Sequence, residues 1–99
     1  MRNFSEIFTE LQSRDSRKRM VAAWGVDEHT ISAASQAVDM GLVDVILVGD
    51  SGMIHQVCSD NAIDASKFTI VHNPVELKAV AQAVQMVRDN EGDFLMKGL

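Results

Sequence analysis

The sequence predicts an α/β fold in three layers, with helices on both faces of a parallel four-stranded sheet. Three observations carry that prediction. Candidate strands built on short apolar runs start at residues 20, 44 and 68, and Asp93 opens a fourth at nearly the same interval. Helical patterning fills the stretches between them. The runs are almost continuously apolar, as strands are when both of their faces are covered. Consecutive βα units of this kind build parallel sheets through right-handed crossovers. One reversal of direction places helices on both faces and predicts the strand order 2-1-3-4. Residues 1–99 thus read as one Rossmann-like αβα unit, without linker or low-complexity stretch.

Each element has its own justification. Phe4, Ile7, Phe8 and Leu11 make an i, i+3, i+4, i+7 stripe, which predicts an N-terminal helix ahead of the first strand. Met20-Val21-Ala22-Ala23-Trp24 is that strand. Asp27 can cap a second helix, with Ile31, Ala34 and Val38 facing inward and Gly41 ending it. Asp44-Val45-Ile46-Leu47-Val48 is the second strand, followed by a shorter helix with Ile54, Val57 and Cys58 inward and Asp50 as its cap. Phe68-Thr69-Ile70-Val71-His72 is the third strand. Asn73-Pro74-Val75-Glu76 then combines an N-cap, a proline at the first helical position and a glutamate three residues after the cap. The fourth helix it starts is expected to bury Leu77, Val80, Ala81, Val84 and Val87, and Gly92 is expected to stop it. The fourth strand runs from Asp93 through Phe94, Leu95 and Met96. The methionines Met20, Met40, Met53, Met86 and Met96 read as core adaptors.

Composition excludes several functions. A net charge of -5 repels phosphodiester backbones, and the basic group Arg14, Arg17, Lys18 and Arg19 is a short, interrupted run, so nucleic acid is not an expected partner. The apolar run Val45–Val48 is bounded by Asp44 and Asp50, too short for a membrane span. Cys58 has no second cysteine to pair with and no apolar leader follows Met1-Arg2-Asn3, which points to a reducing, cytoplasmic setting.

Ligands of open parallel sheets bind at the carboxyl ends of the strands, where helix N-termini also point. Four loops lie there: Gly25-Val26-Asp27, Gly49-Asp50-Ser51-Gly52, Asn73-Pro74 and Lys97-Gly98. Their glycines and free amides suit a phosphate or carboxylate, although such loops also simply turn the chain. Gly49-Asp50-Ser51-Gly52 matches the letters around the nucleophile of chymotrypsin-like proteases, but it follows a parallel strand and opens a helix, so Ser51 is a helix-start residue. Trp24-Gly25-Val26-Asp27 lacks the G-x-G-x-x-G of dinucleotide sites. His29, His55 and His72 share no metal spacing, so no metal is expected, and Cys58 and Trp24 read as packing residues. Lys97 carries the strongest functional signal: a flexible cation at the carboxyl end of a buried strand, beside Gly98, which lets backbone approach a ligand.

Several segments resemble the phosphate acetyltransferase and phosphate butyryltransferase family. They are Val21-Ala22-Ala23 with Asp27-Glu28-His29-Thr30, then Ala37-Val38-Asp39-Met40-Gly41-Leu42 leading to Ile46-Leu47-Val48-Gly49-Asp50. The ending Leu95-Met96-Lys97-Gly98-Leu99 is similar to the family's fourth-strand motif in its butyryltransferase form. The likeness covers essentially the whole chain. It implies that this is the N-terminal part of an isocitrate/isopropylmalate dehydrogenase-like fold in a considerably longer protein. It also implies reversible transfer of an acyl group between coenzyme A and inorganic phosphate, with CoA as a substrate rather than a bound cofactor. The family's catalytic serine, arginine and aspartate fall in the later portion, so the resemblance assigns no catalytic residue here and carries over Lys97 and Gly98 alone as substrate-binding residues. These 99 residues by themselves are then expected to be inactive.

Two other classes compete. A receiver-like signalling module has the right length and βα order, but needs an acidic pair after the first strand and a phospho-accepting aspartate after the third, where this chain has Trp24-Gly25 and His72-Asn73. A module for packing or association alone is the other. An uncovered fourth strand with Phe94 and Leu95 on it also predicts self-association or a homo-oligomer.

Overall fold

In the computed structural model the structure describes residues 18–98, so the predicted N-terminal helix and Leu99 lie outside the described residues. Strand β1 (Lys18–Ala23) is followed by helix α1 (Glu28–Asp39), β2 (Val43–Gly49), α2 (Ser51–Asp60), a single 3-10 turn (Ala65–Lys67), β3 (Thr69–His72), α3 (Glu76–Arg88) and β4 (Phe94–Lys97). All strand pairs are parallel, with Met20 beside Val45 and Phe94, and Leu47 beside Ile70.

Alternation along the strands makes two cores. Met20 and Ala22 of β1 and Val43, Val45 and Leu47 of β2 meet Ile31, Ala34 and Ala37 of α1 and Ile54 and Cys58 of α2. Val21, Ala23 and Val48 point the other way, onto Ala79 and Ala83 of α3. This is the expected three-layer arrangement, with α1 and α2 on one face and α3 on the other. Each fully buried branched side chain, such as Ile31 or Leu47, contributes about 1.5–3 kcal/mol of transfer free energy.

The strand order is β3-β2-β1-β4, which corrects the expected 2-1-3-4. Because α1 and α2 lie on the same face, β3 steps out beyond β2, and the reversal comes one unit later, through α3. A signal for this was present in the residues: Thr69 and His72 at the ends of β3 are polar and exposed, as an edge strand allows, whereas Met20–Ala23 is wholly buried, as a central one requires.

The caps of α1 and α2 are as expected. Asp27 accepts a hydrogen bond from the Thr30 amide at 2.9 Å, and Asp50 accepts one from Met53 at 3.1 Å. Gly41, at φ 73°, takes the left-handed position after α1. The start of α3 differs from expectation. The Asn73 amide donates to the Gly49 carbonyl at 2.8 Å, which keeps Asn73 in the β3–β2 ladder and moves the N-cap to Val75. Asn73 instead accepts weakly from the Val75 amide at 3.4 Å and donates to Gln82 at 3.0 Å. The buried face of α3 is built on Ala79 and Ala83, flanked by Val80, Met86 and Val87. Leu77 and Ala81, expected inside, face solvent. The helix ends at Arg88, short of Gly92, with Asn90 in the left-handed region at φ 63°. Two of the expected core methionines are also outside, Met40 and Met53, while Met20 and Met96 are buried.

Candidate functional site at the carboxyl ends of the strands

The four loops singled out above line up along one edge of the sheet, in the order β3, β2, β1, β4. Backbone and side-chain bonds tie neighbours together. At the β3 end, His72 Nδ1 accepts from the Ser51 amide at 3.0 Å, so the first helical residue of α2 has its N–H occupied by a side chain. This bond places the ring proton on Nε2. Ser51 begins α2, as its context predicted, and its carbonyl lies 2.7 Å from His55 Nδ1.

At the β1 end, Trp24 leaves the strand with φ 53°, a left-handed conformation that costs a bulky residue free energy. That turn is held from β4. The Gly98 amide donates to the Ala23 carbonyl at 2.8 Å. A Cβ on Gly98 would run into the Trp24 carbonyl and lie 3.1 Å from Gly25 Cα, so this position requires glycine to let two backbones meet. Gly98 therefore closes the floor between β1 and β4. That pair is also where chain direction reverses, since β1 leads on to one side of the sheet and β4 arrives on the other.

Lys97 stands above this floor. Its ammonium donates to Glu76 Oε2 at 3.2 Å and to the Gly98 carbonyl at 3.0 Å. The Lys97 side chain is 32% exposed and that of Glu76 54%. Sequence reasoning singled out Lys97 and Gly98 as candidates; the Glu76 partner of the ammonium was not among them. With the observed strand order, α3 starts at the carboxyl ends of the strands and runs back over β2, β1 and β4, which brings its first turn to Lys97.

Other candidates lie elsewhere. Burial pushes the Cys58 thiol up, against a smaller opposing effect of Lys67, so this residue is core rather than nucleophile. Lys67 bonds Ser35 and Asp39 and pins the 3-10 turn to α1. Among the described residues no three of His, Cys, Asp and Glu are grouped to hold a metal ion, and no helix is long and apolar enough to cross a membrane.

Comparison with known proteins agrees with the resemblance read from the strand-end segments. The family model described as "Phosphate acetyl/butaryl transferase" matches residues 3–85. The phosphate butyryltransferase of Clostridium acetobutylicum is 34% identical over 99 residues, all of this chain and 33% of that protein. That of Clostridium beijerinckii is 33% identical over 98 residues, 99% of this chain and 32% of the relative. A phosphate acetyltransferase of Rhizobium meliloti is 35% identical over 78 residues, 79% of this chain and 25% of the relative. The chain thus spans about a third of the length of the curated butyryltransferases it matches. On the family match and on relatives covering its whole length, the chain belongs to the phosphate acetyl/butyryl transferase family.

Proposed function

We propose that this chain forms the N-terminal part of a phosphate acyltransferase that exchanges an acyl group between coenzyme A and inorganic phosphate. In one direction a phosphate oxygen attacks the thioester carbonyl, the carbon–sulfur bond breaks, and CoA leaves as a thiol after taking a proton. In the other, the thiol attacks the acyl phosphate and phosphate leaves. Such chemistry needs cations and backbone donors for phosphate, donors for the carbonyl oxyanion and a base for the thiol. The observation that carries the reading is Lys97, an ammonium bonded to the Gly98 carbonyl at the carboxyl end of β4, in a chain similar over its full length to phosphate butyryltransferases. Lys97 and Gly98 contribute substrate binding, and the thiol base and oxyanion donors come from the part of the enzyme outside these residues. The same reading places the unit at the start of an isocitrate/isopropylmalate dehydrogenase-like fold in a cytoplasmic protein. The outer edge of β4 serves association, with another copy or with the rest of the enzyme, since among the described residues β4 pairs with β1 alone.

The test replaces the matching third of the Clostridium acetobutylicum phosphate butyryltransferase by this chain and follows thiol release from butyryl-CoA with phosphate. Turnover by the chimera is expected, and none by the 99 residues alone. A folded but inert chimera rejects the assignment, and turnover by the isolated chain rejects its status as a part. Sedimentation of the isolated chain is expected to depend on concentration; a strict monomer removes association with another copy and leaves the rest of the enzyme as the partner of the β4 edge.

A further inference from the structure

We propose that Glu76 is the positioning residue for Lys97 and sets how strongly that ammonium attracts an anion; this rests on the reading of Lys97 as a substrate-binding group. An ammonium has three donor hydrogens. Glu76 Oε2 at 3.2 Å and the Gly98 carbonyl at 3.0 Å take two of them, which leaves one for a ligand. The two acceptors belong to different elements. Gly98 is immobilised by its bond to Ala23 and by its close approach to the Trp24 backbone, whereas Glu76 reaches over from the first turn of α3. A lysine stem loses much rotamer freedom when it is fixed, and here that freedom is already reduced before a ligand arrives.

The second effect of Glu76 opposes the first. Its carboxylate makes the pair electrically neutral, so a phosphate approaching the third N–H of Lys97 meets a like charge within a few ångströms. Both side chains are partly exposed, so solvent screens the pair and either group can swing aside. Holding and repelling separate on substitution. Glu76→Gln keeps an oxygen acceptor of the same reach and removes the charge. Glu76→Ala removes both.

Inorganic phosphate titrated into the isotopically labelled chain at fixed ionic strength, with the Gly98 amide as reporter, tests this. Wild type is expected to show a saturable shift and Lys97→Met to lose it. Glu76→Gln is expected to lower the half-saturating phosphate concentration about threefold, in the range an exposed ion pair can supply. A Glu76→Gln protein that binds no more tightly than wild type overturns the proposal, as does a Lys97→Met protein that titrates normally. In the active chimera, Glu76→Gln should lower the KM for phosphate at unchanged kcat, and Glu76→Ala should lower kcat. An equal loss of kcat in both, with KM unmoved, makes Glu76 merely structural and rejects the inference. An inert chimera whose phosphate titration still responds to Glu76→Gln leaves this inference standing and rejects only the acyltransferase reading.

Discussion

Asp93 joins the entry of β4 to the entry of β1, and its charge is part of that joint. Its carboxylate accepts from the Arg19 amide at 2.8 Å, Arg19 in turn donates to the Asn90 carbonyl, and the Asp93 amide returns to the Arg19 carbonyl at 2.8 Å. The amide bond, followed by the guanidinium, holds the Asp93 carboxyl below its ordinary value. A depressed native pKa means stability that is present above the unfolded value and lost as pH falls through the native one. Asp93→Asn should therefore flatten the acid limb of the urea midpoint against pH below about pH 4, and an unchanged limb refutes this role. Gly98→Ala should destabilise the fold by about 1–3 kcal/mol, because a methyl must displace the Trp24 backbone; an unchanged urea midpoint counts against the close approach. In the active chimera, Lys97→Met keeps roughly the volume and removes the charge. It should raise the KM for phosphate or lower kcat at least about tenfold, some 1.4 kcal/mol, and normal kinetics in a stable variant reject the assignment. At this scale the placement of Lys97 and Gly98 at the end of β4 was legible, because strand-end position is written in local sequence. The Glu76 partner was not, since residues 21 apart meet only through the packing of α3 on the sheet.

Helices α1 and α2 were legible down to their caps because Asp27 and Asp50 bond amides three residues ahead, an interaction the local sequence contains in full. Helix α3 shows the limit of that logic. Asn73 has the chemistry of a cap, but its backbone is engaged by β2, so the helix starts later, and its buried face is centred on Ala79 and Ala83 rather than on Leu77 and Ala81. Valine spacing pointed to Val80, Val84 and Val87; Val80 and Val87 do pack, half-buried, against the second core, but close approach to Val21 and Val48 gives its centre to the small side chains of Ala79 and Ala83. The two faces differ in what they tolerate. Leu77, 83% exposed, should change to Gln with a stability effect within about 0.5 kcal/mol. Ala79→Gln forces a polar side chain into the second core and should cost about 1–3 kcal/mol or more. Thermal or urea unfolding of the pair distinguishes the observed face from the expected one, and equal effects would contradict it.

The class of the molecule followed from the regular spacing of its apolar runs, but the order of the strands did not, because spacing says nothing about the side on which each crossover returns. The difference matters for the site: in the expected order β1 would not adjoin β4, and Gly98 could not reach Ala23 or Trp24. The observed order also has a kinetic meaning. The pairings of β1 with β2 and of β2 with β3 each close a single βα unit, while β1 meets β4 across a loop about three times as long, at about 1 kcal/mol more in closure entropy. Among the described residues β3 and β4 each have a neighbour on one side only, and of these two edges the strand that carries Lys97 is the more expensive to bring home and so the first to leave. Amide exchange in Phe94–Lys97 should outpace that in Met20–Ala23 and Val45–Val48, and uniform protection across all four strands would contradict this. In a chain that assembles from its β1–β2 side, the candidate site between β1 and β4 comes into being at the last step of folding, so any ligand held there would act as a brake on the first step of unfolding.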